Sequence, residues 1–145
     1  MQYVPNHGYG LHRLIYRSRS LLPGDGPSQA ELDALVAEAA SENRAMTITG
    51  ALLAIDGWFV QALEGPSDML KAAFDSIATD PRHTAVELCA IEPIDKRLFG
   101  RWAMKQGRPY IPDGLEIGSA SAEELLSLVQ LATLPGVAPG VVKAA

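Results

Sequence analysis

Asn-Arg-Ala-Met-Thr-Ile-Thr-Gly-Ala-Leu-Leu-Ala-Ile-Asp-Gly-Trp-Phe-Val-Gln-Ala-Leu-Glu-Gly, the segment Asn43–Gly65, decides the predicted fold. Two apolar runs, Ile48–Ile55 and Trp58–Leu63, flank the dipeptide Asp56-Gly57. Asp-Gly between two such runs favours a two-residue type I′ turn. The segment is therefore predicted to form a β-hairpin.

Gln61 is the unusual residue of this hairpin. In a two-residue hairpin Ile55 faces Trp58, so counting back along both strands places Gln61 opposite Leu52. Both faces of the second strand are otherwise apolar, so the amide of Gln61 is predicted to be buried. A buried amide without hydrogen-bond partners costs about 1–3 kcal/mol. A polar group is therefore expected against the middle of this strand.

Composition narrows the class of protein. The chain has 145 residues and a formal net charge of −5, with no basic stripe, which predicts one domain and argues against a nucleic-acid partner. No apolar run approaches the ~20 residues of a membrane span, and the N-terminus lacks the features of a secretory signal. One cysteine, Cys89, and three scattered histidines disfavour disulfides and a metal cluster. We therefore expect a cytoplasmic protein with no membrane partner and no metal.

Periodicity and capping signals predict the other elements. They are a strand over Leu11–Arg17, a helix over about 29–42 behind the capping box Ser28/Glu31, the hairpin, a helix capped by Ser67 and ending at Asp80-Pro81, a strand over Val86–Ile91 and a short strand over Arg101–Lys105. This order, β-α-β-β-α-β plus an extra C-terminal strand, is that of an α/β (α+β) ferredoxin-like sandwich. Two helices on one face of the sheet leave a slot between them for a ligand.

The chain is predicted to have three parts. Residues 1–10 are a loose lead-in, residues 11–108 the ligand-binding domain, and residues 109–145 a linker, an amphipathic helix and a frayed tail. A second capping box, Ser121/Glu124, opens that helix, which runs to about Ala132.

Five motifs follow one another along residues 11–105. They are Leu-x-Arg-Leu-Ile-Tyr-x-Ser (11–18), Asn-x4-Ile-Thr-Gly-x-Leu-Leu (43–53), Phe-x-Gln-x-Leu-Glu-Gly (59–65), Asp-Pro-Arg-His (80–83) and Arg-x-Phe-x2-Trp-x-Met (97–104). Together they resemble the BLUF family, blue-light sensors that hold FAD non-covalently in a ferredoxin-like fold. The resemblance implies a flavin cofactor, FAD, with FMN and riboflavin as alternatives.

By the same resemblance, Tyr16 matches the photoactive tyrosine and Gln61 the glutamine that switches hydrogen bonds. The residues alone allow other interpretations: Tyr16 as a core aromatic with its hydroxyl at the rim, and Gln61 as an edge-strand amide bonded to backbone. A phenol beside an amide does form a donor–acceptor chain that can be satisfied in two directions, depending on which way the amide points.

Five further residues receive candidate roles. The resemblance implies that Asn43 binds the carbonyl edge of the flavin, that Asp80 lies near its ribityl side, and that Trp102 and Met104, on the last strand, can exchange places near the glutamine. Arg44 is a candidate for approaching a phosphate. The alternatives are a helix C-cap for Asn43, simple packing for Trp102 and Met104, and a solvated charge for Arg44.

The chain departs from the family pattern near the expected flavin site. Ala39 replaces a small hydroxyl residue, Glu42 stands where many members carry asparagine or histidine, and Ser76 replaces a basic residue on the second helix. Glu42 and Ser76 remove donors and cationic charge, which leaves the choice among FAD, FMN and riboflavin open. Arg82 and His83 follow a helix end and are interpreted as surface residues.

The resemblance implies a photoreceptor and not an enzyme. Light would drive a transient electron and proton transfer from Tyr16 and a rearrangement of Gln61, which shifts flavin absorption to the red. The signal would pass through the sheet and the C-terminal helix to a separate signalling protein, in a chain that resembles short stand-alone members acting as homo-oligomers. The alternatives are a non-photochemical ferredoxin-like regulatory or ligand-binding module, and a flavin-dependent redox protein, although the sequence shows no Gly-rich phosphate loop.

Overall fold

The computed structural model describes residues 10–22, 28–106 and 112–134. The predicted frayed tail, most of the lead-in and parts of the first loop and of the linker lie outside the described residues. The elements are β1 (Leu11–Ser20), α1 (Gln29–Ala45), β2 (Thr49–Ile55), β3 (Trp58–Pro66), α2 (Ser67–Ala78), β4 (His83–Pro93), β5 (Lys105–Gln106), a 3₁₀ turn (Ile117–Ser119) and α3 (Ala122–Ala132).

The five strands form one sheet in the order β4-β1-β3-β2-β5. All neighbours pair antiparallel except β2 and β5, which are parallel. On one face, residues of α1 and α2 such as Leu32 and Leu70 form a core with the sheet, and on the other face Leu125 and Leu128 of α3 do so. The architecture confirms the predicted ferredoxin-like α/β sandwich.

The hairpin sets the register of the central strands. Asp56 and Gly57 both have positive φ, 51° and 79°, as a type I′ turn requires. Ile55 pairs with Trp58, and Gln61 pairs with Leu52, as predicted. On its other side β3 pairs with β1, which places Tyr16 directly opposite Gln61.

Local capping signals predict two helix starts correctly. Ser28 accepts from the backbone of Glu31 and Ser121 from that of Glu124, and both capping boxes are complete. The prediction that Ser67 caps the second helix is wrong. Pro66 holds the N-cap position in extended geometry, without a side-chain capping bond, and Ser67 is the first helical residue.

Two other boundaries differ from prediction. Asn43 lies inside α1 and is not its C-cap, which is Met46; the chain then turns through Thr47 at a φ of 55°. The strand predicted over Arg101–Lys105 is confined to Lys105–Gln106, because the preceding chain forms a turn in which Trp102 N–H donates to the Phe99 carbonyl. Trp102 and Met104 therefore precede β5 instead of lying on it.

Candidate functional site

A cavity of about 350 Å³ lies between α1 and α2 above the sheet. Tyr16, Leu52, Phe59 and Gln61 form part of its floor, and residues of the two helices form its walls. This is the slot predicted from the element order. The three residues that depart from the family pattern, Ala39, Glu42 and Ser76, all line it.

Tyr16 and Gln61 meet on the floor of the cavity. The register of β1 and β3 pairs them, and both side chains lie on the face of the sheet that packs against α1 and α2. The Tyr16 hydroxyl donates to Gln61 Oε1 at 2.5 Å, and each residue is only 4% exposed. Burial raises the pKa of Tyr16 above its usual value, and the nearby charge of Asp80 raises it further. Tyr16 is therefore a neutral phenol whose proton is directed at the glutamine.

The nitrogen of the same amide faces a much weaker partner. Gln61 Nε2 lies 3.5 Å from Met104 Sδ, and a thioether sulfur is a poor hydrogen-bond acceptor. Met104 is buried in the cluster that contains Tyr16, whereas Trp102 packs against the cluster on the α3 side of the sheet. Of these two residues, the structure brings Met104 to the glutamine.

Asn43 lies at the wall of the cavity and is 5% exposed. Its Nδ2 donates to the backbone carbonyl of Ala103 at 2.8 Å. The bond joins α1 to the segment that carries Met104, so Asn43 connects a cavity wall to the partner of Gln61. Arg44, the next residue, is exposed and is not among the residues that line the cavity.

Asp80 lines the cavity together with Arg82 and Glu38. The Arg82 side chain donates from Nε to Asp80 Oδ1 at 2.9 Å and from Nη2 to Glu38 Oε1 at 2.7 Å. The hydrogen bond from Arg82 lowers the pKa of Asp80 below its usual value, so this carboxylate is ionised at neutral pH. Arg82 was expected at the surface, and it is partly buried in this group.

The interpretation of His83 as a surface residue is wrong. It is 8% exposed, lines the cavity and makes an edge-on contact with the Tyr16 ring, with 6.1 Å between ring centroids. Its Nε2 lies 2.6 Å from the Ile77 carbonyl and its Nδ1 2.6 Å from Ser18 Oγ. Because a carbonyl only accepts, Nε2 carries the proton and, in the neutral ring, Nδ1 accepts from Ser18. His83 is buried because β4 already begins at this residue, which pairs with Ser20 of β1.

Glu64 belongs to the third motif, and the sequence predicts no role for it. Its carboxylate is fully buried and accepts from Arg13 Nε at 2.8 Å and from the backbone N–H groups of Leu98 and Phe99 at 2.9 and 2.8 Å. It thereby holds the start of the segment that leads to Met104.

Within residues 10–22, 28–106 and 112–134, no helix is both long and apolar enough to cross a membrane. In the same ranges no group of three or more His, Cys, Asp or Glu side chains is arranged to hold a metal ion.

Known proteins are similar in sequence to about two thirds of this chain. The family model described as "BLUF: Sensors of blue-light using FAD" matches residues 11–105. Photoactivated adenylate cyclase subunit beta of Euglena longa is 37% identical over 95 residues, which are 65% of this chain and 11% of that protein. The chain thus spans about a tenth of the curated relatives that it matches first.

Solved structures show the same fold over a larger share of the chain. The dark-state structure of the BLUF protein BlrB superposes with a TM-score of 0.63 at 29% identity, covering 90% of this chain and 89% of that one. Klebsiella pneumoniae BlrP1 with FMN and cyclic diGMP gives a TM-score of 0.59 at 35% identity, covering 81% of this chain and 30% of that one. The chain belongs to the BLUF family, sensors of blue light using FAD.

Proposed function

We propose that this chain is a blue-light photoreceptor that binds a flavin non-covalently in the cavity between α1 and α2. The observation that supports this most is the buried hydrogen bond from Tyr16 to Gln61 on the cavity floor. The family description names FAD, and FMN and riboflavin carry the same ring that would occupy the cavity.

The chemistry of the cavity fits an isoalloxazine ring. Small and aliphatic side chains of the two helices, such as Ala39, Ala73 and Ile77, offer apolar walls to a flat ring. Gln61 and Asn43 offer amide groups to the polar edge of such a ring, which carries both donors and acceptors. When bound, a flavin supplies blue-light absorption and an excited state that accepts an electron.

Tyr16 is the proposed donor in the light reaction. It is an oxidisable phenol, neutral because burial raises its pKa, and its proton already points at Gln61 Oε1. Loss of an electron makes a phenol strongly acidic, so the proton can move to the amide oxygen that already accepts it.

Gln61 is the proposed switch. In the arrangement described, Oε1 accepts from Tyr16 and Nε2 faces the Met104 sulfur. If the amide turns over, Nε2 faces the tyrosine oxygen and Oε1 faces the sulfur. The turn exchanges the O–H···O bond from Tyr16 for an N–H···O bond to the tyrosine oxygen. It leaves the Tyr16 proton without an acceptor among the described residues, so the turned arrangement must be stabilised by the light reaction.

We propose that the changed state of Gln61 reaches α3 through Met104, Trp102 and the sheet, and from there a separate signalling protein. A cytoplasmic homo-oligomer without turnover chemistry of its own remains our proposal for the whole chain. The Euglena relatives are named as adenylate cyclases, so related segments occur in proteins with an enzymatic output.

The test is an absorption spectrum of the purified protein in the dark and after blue illumination. A reversible red shift of the flavin bands is expected in the unmodified chain. Gln61→Leu should keep the flavin and lose the shift, whereas Gln130→Leu, which changes an exposed glutamine on α3, should keep both. A full red shift in Gln61→Leu would refute the proposed switch, and a colourless protein that takes up no flavin would refute the photoreceptor function.

A further inference from the structure

Charged side chains surround the part of the cavity that meets solvent. Glu38, Glu42, Asp80 and Arg82 line the cavity, and we call these four residues the acidic rim. Their side chains reach water: that of Glu38 is 54% exposed, that of Arg82 35% and that of Asp80 26%. If the ring of a flavin occupies the cavity, a tail that leaves on this side passes close to these groups.

The acidic rim carries a net negative charge. Three carboxylates against one guanidinium leave a formal charge of −2, and among the described residues that line the cavity Arg82 is the one Lys or Arg. Ser76, on the opposite wall, contributes a neutral hydroxyl.

The single guanidinium of the rim is already engaged by its neighbours. Arg82 Nη2 contacts Asp80 Oδ2 at 2.5 Å and Glu38 Oε1 at 2.7 Å, and Nε and the backbone N–H both donate to Asp80 Oδ1 at 2.9 Å. A phosphate that recruited Arg82 would have to compete with two carboxylates. The rim therefore offers little attraction to a phosphate and a net repulsion from its charge.

This charge bears differently on the three common flavins. Riboflavin carries no phosphate, whereas FMN and FAD carry about two negative charges at neutral pH. The ring is common to all three, so contacts with the cavity floor do not distinguish them. Differences in affinity must arise where the tail leaves the cavity.

We propose that the acidic rim makes this site select for the uncharged tail, so that the chain binds riboflavin more tightly than FMN at low ionic strength. The inference rests on the proposed flavin-binding function and specifies it: the affinity for any flavin resides in the ring. Charge repulsion at the distances across such a rim weakens FMN binding about three- to tenfold relative to riboflavin. Salt reduces this difference, because the screening length falls from about 10 Å at 0.1 M to about 3 Å at 1 M.

The experiment titrates the flavin-free full chain with riboflavin, FMN and FAD and follows the quenching of flavin fluorescence, at low and at high NaCl concentration. The riboflavin Kd should be nearly independent of salt, and the FMN Kd should approach it as salt is added. Dark binding is the readout, so the result does not depend on photochemistry.

Glu42→Gln provides the sharpest variant, because Glu42 is exposed on α1 and its replacement leaves the Arg82 ion pairs in place. It should tighten FMN binding severalfold and change riboflavin binding much less. Glu38→Gln should do the same more strongly, since it also frees part of Arg82. Glu123→Gln, with the same charge change on exposed α3, is the control and should alter neither Kd.

Two results would overturn the inference: FMN binding more tightly than riboflavin at low salt, or a ratio of FMN to riboflavin Kd that neither rim variant changes. Either result leaves flavin binding itself intact. If no flavin binds, the proposed function fails and the rim inference fails with it.

Discussion

At the scale of single residues, Tyr16 carries a polar hydroxyl group and is almost completely buried. The only described partner of its hydroxyl is the amide oxygen of Gln61. Ionising the phenol would place a negative charge in an apolar cluster near the Asp80 carboxylate, and both effects raise its pKa. In the proposed light reaction, the environment that keeps the proton on Tyr16 would make removal of that proton depend on prior oxidation of the phenol.

This raised pKa predicts how stability depends on alkaline pH. In the unfolded chain Tyr16 loses its proton near pH 10, whereas in the folded chain it keeps it. Above that pH the folded state therefore binds more protons than the unfolded state, and stability falls as pH rises, by at most about 1.4 kcal/mol per pH unit for this group. Urea unfolding at pH 8.5 and 10.5 should show a smaller loss of stability in Tyr16→Phe than in the unmodified chain. Equal losses in both would show that the folded chain does not hold this proton.

Residue by residue, the sequence predicts the site where local rules determine position. The two-residue turn fixes the register of β3, and strand alternation places Tyr16 and Gln61 on one face, so their meeting is predictable. The roles of Asn43 and Met104 depend on contacts 60 and 43 residues away along the chain, which no local pattern encodes. His83 is misjudged because its burial comes from β4 starting three residues earlier than its apolar pattern suggests.

At the scale of elements, Glu64 secures the segment between β4 and β5. Three hydrogen bonds converge on its buried carboxylate, from Arg13, Leu98 and Phe99, and Arg97 donates to the Glu64 carbonyl. Since β5 contributes only two residues of pairing, these bonds help to position Met104, together with the bond from Asn43 to the Ala103 carbonyl and the bond from the Gly50 N–H to the Trp102 carbonyl.

Glu64→Gln should therefore destabilise the fold by about 3 kcal/mol, because it leaves the buried Arg13 guanidinium without its counter-charge. Urea unfolding measures the loss, and Glu123→Gln, at an exposed position of α3, is the matched control. Adding Arg13→Met to Glu64→Gln removes the stranded charge and should recover part of the stability, so the double variant loses less than the sum of the two single losses. Strictly additive losses would contradict the pairing.

Arg17 connects β1 to the C-terminal helix. It follows Tyr16 in the strand, and its Nη1 donates to the carbonyls of Ile117 and Ala120 at 3.1 and 2.6 Å, just before α3 begins. Its Nε donates to Glu87 on β4 at 3.0 Å. A planar guanidinium can serve these three acceptors at once in a way that a single ammonium group cannot.

Arg17→Lys should consequently loosen α3 without emptying the cavity. Hydrogen exchange of residues 122–132 is expected to speed up severalfold while flavin affinity stays within twofold of the unmodified chain. Arg101→Lys, at an exposed position, serves as the control. Unchanged protection of α3 in Arg17→Lys would mean that apolar packing alone holds the helix.

Elements that depend on local sequence signals are predicted well, and elements that depend on contacts distant in the chain are not, as is also true of single residues. The range Ala122–Ala132 of α3 is predicted from its capping box and apolar face, both of which are local. The extent of β5 is not, because a two-residue parallel pairing with β2 depends on a turn that Glu64 holds from a distant strand. The start of α2 is displaced by one residue because β3 runs into it through Pro66.

At the scale of the whole molecule, the sheet separates the cavity from α3 by a single layer. Tyr16 and Gln61 face the cavity, and their strand neighbours Arg17, Val60 and Ala62 face the cluster around α3. A displacement of β1 or β3 on the cavity side would therefore also move the side chains that pack against α3. We propose this path in addition to the one through Met104 and Trp102.

If the sheet transmits the signal in this way, illumination should change the protection of α3. We expect amide exchange in residues 122–132 to be faster in the lit state than in the dark, by severalfold, because a shift of β1 weakens the Arg17 contacts that hold the start of the helix. Mass spectrometry of peptides from continuously illuminated and dark samples measures the difference. Gln61→Leu, which keeps the cavity but loses the switch, should show no difference between light and dark. A red shift without any change in the exchange of α3 would mean that the signal leaves the molecule from another surface. A light-induced change in α3 of Arg17→Lys that is absent from the unmodified chain would mean that the Arg17 contacts hold the helix in place in the lit state.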